Sequence, residues 1–155
     1  MPPLIRVLKG QTMSSEKKNK SGAPEALDFN LSPVLVVALL ATRNVRSLDR
    51  INHALEIARL SAASKGCKLE VSLDGEAASP VVHAVCNAAD IPVRVRFPFF
   101  SKYERDEARE KRDDFVCHEV DGVILVSTSQ DKADDPSRVL AKRIMSAKAG
   151  AEVPA

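Results

Sequence analysis

The chain has 155 residues, of which 45% are apolar and 28% charged; that is enough for one domain with a buried core and short for two. Its 23 Lys and Arg nearly balance 21 Asp and Glu, so a net charge of +2 gives no general electrostatic pull toward nucleic acid or membranes. With no Trp and one Tyr the chain is poor in stacking surface for single-stranded nucleic acid, and no apolar run nears the ~20 residues of a membrane helix.

Residues 1–32 read apart from the rest, as a flexible arm and linker. Met1–Leu8 has the makings of a short strand or arm, and Arg6 and Lys9 break its apolar part, which argues against a signal peptide. Residues 11–24 are mostly Ser, Lys, Asn and Gly with almost nothing to bury. The polar run opening at Met13 resembles a natural start, which predicts translation from that residue.

Regular structure begins at Val34. The run Val34–Leu40 is continuously apolar and too short for a long helix, so it reads as a strand buried on both faces. A helix is predicted over Leu48–Ser64, with Ser47 as N-cap and Asp49 in the first turn. Leu48, Ile51, Leu55, Ala58 and Ala62 form its apolar stripe, and Gly66 stops it. A second strand covers Cys67–Leu73. A short helix follows, capped by Ser79 with Pro80 first, and with Val81, Val82, Val85 and Ala89 inward. Ile91–Phe97 alternates as a strand with one exposed face or at a sheet edge, where Pro92 is also at home. Residues 101–119 are charged and helical in pattern. Asp121–Ser127 is another buried strand, and Pro136, capped by Asp135, opens a last helix to about Lys148. Residues 149–155 are expected to fray as a disordered tail. Strand and helix alternate throughout, which predicts a three-layer α/β sandwich with a mainly parallel sheet of four or five strands.

In such sheets ligands lie at the carboxyl ends of the strands. The first strand end carries Thr42, Arg43 and Asn44; the second carries Ser72, Asp74, Gly75 and Glu76; the third, Pro98, Phe99, Phe100 and Tyr103; the fourth, Ser127, Thr128 and Ser129. Hydroxyls and a glycine beside helix N-termini suit an anion, although ordinary capping uses the same residue types. On the charged helix, Arg112 shares a face with Ala108, Phe115 and Val116, and an Arg there needs a carboxylate, a ligand anion or a path to water. Asp113 and Asp114 adjoin it. Neither His83 with Cys86 nor Cys117-His118-Glu119 has a closing pair at zinc-like spacing, so no metal set and no cofactor is predicted. Cys67, Cys86 and Cys117 are odd in number and widely spaced, as for reduced thiols in a cytoplasmic protein.

The ordered set of motifs from Val34 to Met145 resembles the SLOG superfamily of Rossmann-like domains, nearest its YspA-like branch; that superfamily also holds DprA (Smf) and LOG-type proteins. Ala41-Thr42-Arg43-Asn44 is similar to the family's first motif, usually Gly, then Ser or Thr, then Arg. Ser72-Leu73-Asp74-Gly75-Glu76-Ala77 falls at its Gly-rich phosphate loop. Lys111-Arg112-Asp113-Asp114-Phe115 is similar to its Arg-Asn helix start, and Asp121-Gly122-Val123-Ile124 to its last core strand. The resemblance implies a nucleotide or nucleotide-derived small ligand held by Thr42, Arg43, Asn44, Ser72, Asp74, Gly75, Glu76, Arg112 and Asp113. The departures are Ala41 for glycine, a single glycine in the second motif, Asp113 for asparagine, and no Pro-Gly-Gly-x-Gly-Thr-x-x-Glu signature of LOG-type phosphoribohydrolases.

Three functions follow as expectations. The first is nucleotide binding at the rim. The second is hydrolysis of a nucleotide's N-glycosidic bond, with Asp74, Glu76 or Asp113 as the carboxylate. The third is a degenerate domain used for assembly, a possible homo-oligomer through the Ile91–Phe97 edge and Phe99-Phe100. No membrane or nucleic-acid partner is expected.

Overall fold

The computed structural model describes residues 33–154. The expected N-terminal arm and the Met13 start lie outside those residues. Among the described residues nine elements alternate: β1 (Val34–Ala41), α1 (Leu48–Ser64), β2 (Lys68–Leu73), α2 (Ser79–Ala88), β3 (Val93–Val95), α3 (Arg105–Glu119), β4 (Gly122–Ser127), α4 (Pro136–Met145) and β5 (Ala149–Pro154). The five strands make one all-parallel sheet in the order β3-β2-β1-β4-β5. Helices cover both faces, giving a three-layer Rossmann-like sandwich.

β1 is central, and the two-residue period of a strand splits its side chains between two cores. Leu35, Val37, Leu39 and Ala41 join Ile51, Leu55 and Ala58 of α1 and Val82 and Cys86 of α2. Val36, Ala38 and Leu40 join Val116 of α3 and Leu140, Ala141 and Ile144 of α4. Leu39 and Leu40 are both fully buried, one in each core; truncating either to alanine would cost about 2–5 kcal/mol. Among the described residues no helix is long and apolar enough to cross a membrane.

The local signals act as the residues dictate. Ser47 caps α1 by accepting from the Arg50 amide, and Asp135 caps α4 by accepting from those of Ser137 and Arg138. Gly66 ends α1 at φ +66°. Several expectations are corrected. Residues 149–154 do not fray: they form β5, in register with β4 over six pairs. Pattern reading misses β5 because Val153 alone is buried. β3 keeps only three of the seven residues expected, because Pro92 has no amide to donate and Pro98 closes the far end. α2 is capped by Ala78, not Ser79, and no side chain takes up its first amides. Leu48, Val81 and Phe115 turn outward, while Ala54 and Cys86 fill the places expected of neighbours.

Candidate functional site

β1 and β4 are adjacent, and their following helices lie on opposite faces of the sheet. The crevice between their carboxyl ends is therefore the topological switch point. Thr42 stands at its mouth but is fully buried, and its Oγ1 donates to Asp131 Oδ1 at 2.7 Å. Asp131 also accepts from the Thr128 amide and hydroxyl, each at 2.8 Å, and from Arg138 at 3.0 Å. Burial would raise this carboxyl; those donors outweigh it and hold it below the ordinary aspartate value. The chain's own carboxylate thus closes the crevice floor.

Above it lies an open cleft of about 430 Å³, lined by Arg43, Asn44, Arg105, Arg109, Lys132, Asp134, Asp135 and Pro136. The Arg43 amide donates to Asp135 Oδ2 at 2.9 Å, which fixes the backbone and leaves the guanidinium exposed. Asn44 Nδ2 donates to the Gln130 carbonyl at 3.2 Å and ties the two rim loops together. Among the described residues Arg43, Arg105 and Lys132 have no ion-pair partner, while Arg109 is held by Glu76. Four cations meet two carboxylates, one of which caps α4. Arg105 is the first residue of α3, whose N-terminus has no side-chain cap; its charge and the helix dipole both favour an anion there.

The second strand end is built differently. Asp74 is buried, and its carboxylate accepts from Ser137 Oγ at 2.6 Å and from the Glu76 amide at 3.0 Å. Burial pushes its carboxyl up to about 6 against those two bonds and the nearby Arg112 charge. Arg112, also buried, donates to the Asp74 carbonyl, to Asp113 Oδ1 at 2.6 Å and to Glu76 Oε2 at 2.8 Å. Arg109 donates to Glu76 Oε1 at 2.9 Å. Burial alone would raise Glu76; the two guanidiniums outweigh it and hold its carboxyl below the usual range. Burial raises Asp113 despite Arg112. Gly75 takes φ +73°, and a Cβ there would lie 2.6 Å from the Phe97 ring.

The expected site residues therefore separate. Arg43 and Asn44 line the cleft. Glu76 stands behind it through Arg109. Thr42, Ser72, Asp74, Arg112 and Asp113 are buried with their side-chain polar atoms bonded within the protein, Ser72 to Glu119 Oε2 at 3.3 Å. A side chain in place of the second motif's glycine would meet the Phe97 ring. Arg105, Arg109 and Lys132 were not foreseen. A cation in the first turn of a helix, against its dipole, is the signal that points to Arg105; nothing in the pattern singles out Lys132. Among the described residues no group of three or more His, Cys, Asp or Glu side chains is placed to hold a metal ion.

Compared with protein-family models, curated proteins and solved structures, the chain matches none of them.

Proposed function

We propose that the protein binds a nucleotide or nucleotide-derived small ligand through its phosphate, in the cleft between the β1–α1 loop, the β4–α4 loop and the start of α3. The observation that carries this reading is the set of cations without ion pairs among the described residues, Arg43, Arg105 and Lys132, gathered at the switch point of a parallel sheet. The cleft volume lies within the ~300–1,000 Å³ of small-molecule sites. The SLOG resemblance supports the same ligand class through Arg43 and Asn44. Binding is favoured over glycosidic cleavage because Asp74, Glu76 and Asp113 are each engaged by internal donors, and none of them lines the cleft. Three free thiols are in keeping with a reducing, cytoplasmic setting.

The test is isothermal titration with adenine and guanine mono-, di- and triphosphates. Binding should strengthen with each added phosphate and weaken with salt. Arg43→Ala should lower affinity at least tenfold with an unchanged melting temperature, because its side chain is exposed. Equal affinity for a nucleoside and its triphosphate, or an Arg43→Ala variant that binds as the parent does, would overturn the reading.

A further inference from the structure

The sequence has six aromatic side chains, and five of them, Phe97, Phe99, Phe100, Tyr103 and Phe115, fall in one stretch of 19 residues. Among the described residues neither core contains an aromatic ring. The rings instead gather on the surface where β3 leaves the sheet and α3 begins, with Phe97 61%, Phe99 66% and Phe115 56% exposed. A small protein forgoes stability by this placement, since these are the side chains whose burial stabilises most. Contiguous exposed apolar surface of this kind marks an interaction site.

Four of the rings, Phe97, Phe99, Tyr103 and Phe115, line a groove of about 380 Å³ whose charged lining among the described residues is Arg96, Lys111 and Arg112, with no carboxylate. Arg112 and Arg96 already hold Glu76, Asp113 and Glu119. Lys111 has no ion-pair partner among the described residues; its ammonium lies 5.0 Å from the centre of the Tyr103 ring, and that of Lys102 lies 5.3 Å from it. Beside the groove runs β3, the outermost strand on its side of the sheet among the described residues. Pro92 and Arg96 turn their backbone groups to β2: the Val71 amide donates to the Pro92 carbonyl and the Arg96 amide to the Leu73 carbonyl. Alternation along a strand then leaves the amides and carbonyls of Val93 and Val95 facing the open edge.

We propose that this corner is a docking site for an extended peptide segment of a partner protein, one that alternates apolar side chains with at least one Asp or Glu. The peptide adds a strand to β3, seats an apolar side chain between Phe97, Phe99 and Phe115, and sets its carboxylate on Lys111. Charge disfavours a second copy of this chain docked groove to groove, which would bring Lys111 and Lys102 against their own kind. It also decides against nucleic acid: exposed Glu104, Asp106, Glu107 and Glu110 flank the cations along α3, and a phosphate backbone would meet them. Backbone pairing with an open strand edge is, moreover, a peptide's mode of binding. The site is separate from the anion cleft.

The test is selection of a random displayed-peptide library on the full chain, then fluorescence anisotropy with the enriched peptide. Enriched sequences should share alternating apolar residues and an acidic position. Phe99→Ser should weaken binding at least tenfold with unchanged circular dichroism, since that ring is exposed. Lys111→Glu should do likewise, and a Lys in place of the peptide's acid should restore binding to that variant alone. No enrichment, or enriched peptides indifferent to both substitutions, overturns the proposal. So does a protein that occupies the groove by self-association in sedimentation, or one that binds a single-stranded oligonucleotide in a Phe99-dependent manner.

Discussion

Asp74 shows how far a residue's surroundings can move it from the role its position implies. At the carboxyl end of a strand, beside a glycine, it reads as a ligand contact or a catalytic acid. In the fold it is an internal strut between the β2–α2 loop and Ser137 in the first turn of α4. Burial raises its carboxyl from 3.8 to about 6. Between those values the native chain keeps a proton that the unfolded chain has released. This group's contribution to stability is therefore full below about 4 and is lost as pH rises through about 6. A shift of two units corresponds to roughly 3 kcal/mol. Glu76 and Asp131, held low, act with the opposite sign and lose their contribution as pH falls. Asp74→Asn mimics the protonated acid, because its amide can donate to Ser137 Oγ. Urea unfolding of both proteins from pH 4 to pH 7 isolates the residue: the variant should gain on the parent by roughly 3 kcal/mol across that range and hold the gain above it. A difference independent of pH would mean that Asp74 ionises as freely in the fold as in the unfolded chain.

At the scale of the element, the loop after β2 illustrates a glycine whose use is set by a neighbour far along the chain. Gly66 and Gly75 both adopt left-handed backbone, at φ +66° and +73°. A methyl at Gly66 meets nothing within 4 Å; at Gly75 it meets the Phe97 ring at 2.6 Å. Gly66→Ala should therefore cost about 1–2 kcal/mol for the backbone alone, and Gly75→Ala more, by the displacement of the ring. In a Phe97→Ala background the two substitutions should cost the same. A Gly75→Ala penalty that survives removal of the ring would place the strain elsewhere. Sequence alone carries the glycine but not the ring 22 positions on, and the same limit governs the whole site. β1 and β4 were legible because a strand buried on both faces must be a continuous apolar run. α1 was legible because an amphipathic helix repeats its apolar residues every three or four. That Arg43 stands at a strand end follows from those patterns. That Arg112 turns inward to Glu76 and Asp113 while Arg105 and Arg109 reach the cleft depends on how α3 is rotated against the sheet. A helix this charged, with Phe115 left outside, gives its rotation no clear apolar stripe.

For the whole molecule, the open question of a parallel sheet is how its two edges end. On one side β3 is short, and the arginines in and just after it are engaged: Arg94 by Glu70 and Glu119, Arg96 by Glu119. On the other side β5 is weakly apolar and ends at Pro154, a residue that discourages a further strand. β5 is held by its ladder to β4 and by a single anchor, Val153, which joins Ile124 and Val126 in the core of the α1 face. Glu152 accepts a hydrogen bond from Ser127 Oγ and forms an ion pair with Arg138 at 3.6 Å, and Arg138 in turn holds Asp131 under the cleft. The last strand is thus tied to the floor of the cleft through one arginine. Val153→Asp places a carboxylate among aliphatic side chains with no partner and should cost about 3 kcal/mol or more. Ala151→Asp, on the same face two residues earlier but exposed, should cost within about 0.5 kcal/mol. Hydrogen exchange separates strand release from a general loss of stability. In Val153→Asp the β5 amides and those of Thr128 and Asp131 should exchange faster together, while the amides of β2, two strands away from β4, stay protected. Equal melting temperatures for the two variants would show that β5 lies on the sheet without anchoring it, and would cut the link from the chain's last strand to the cleft.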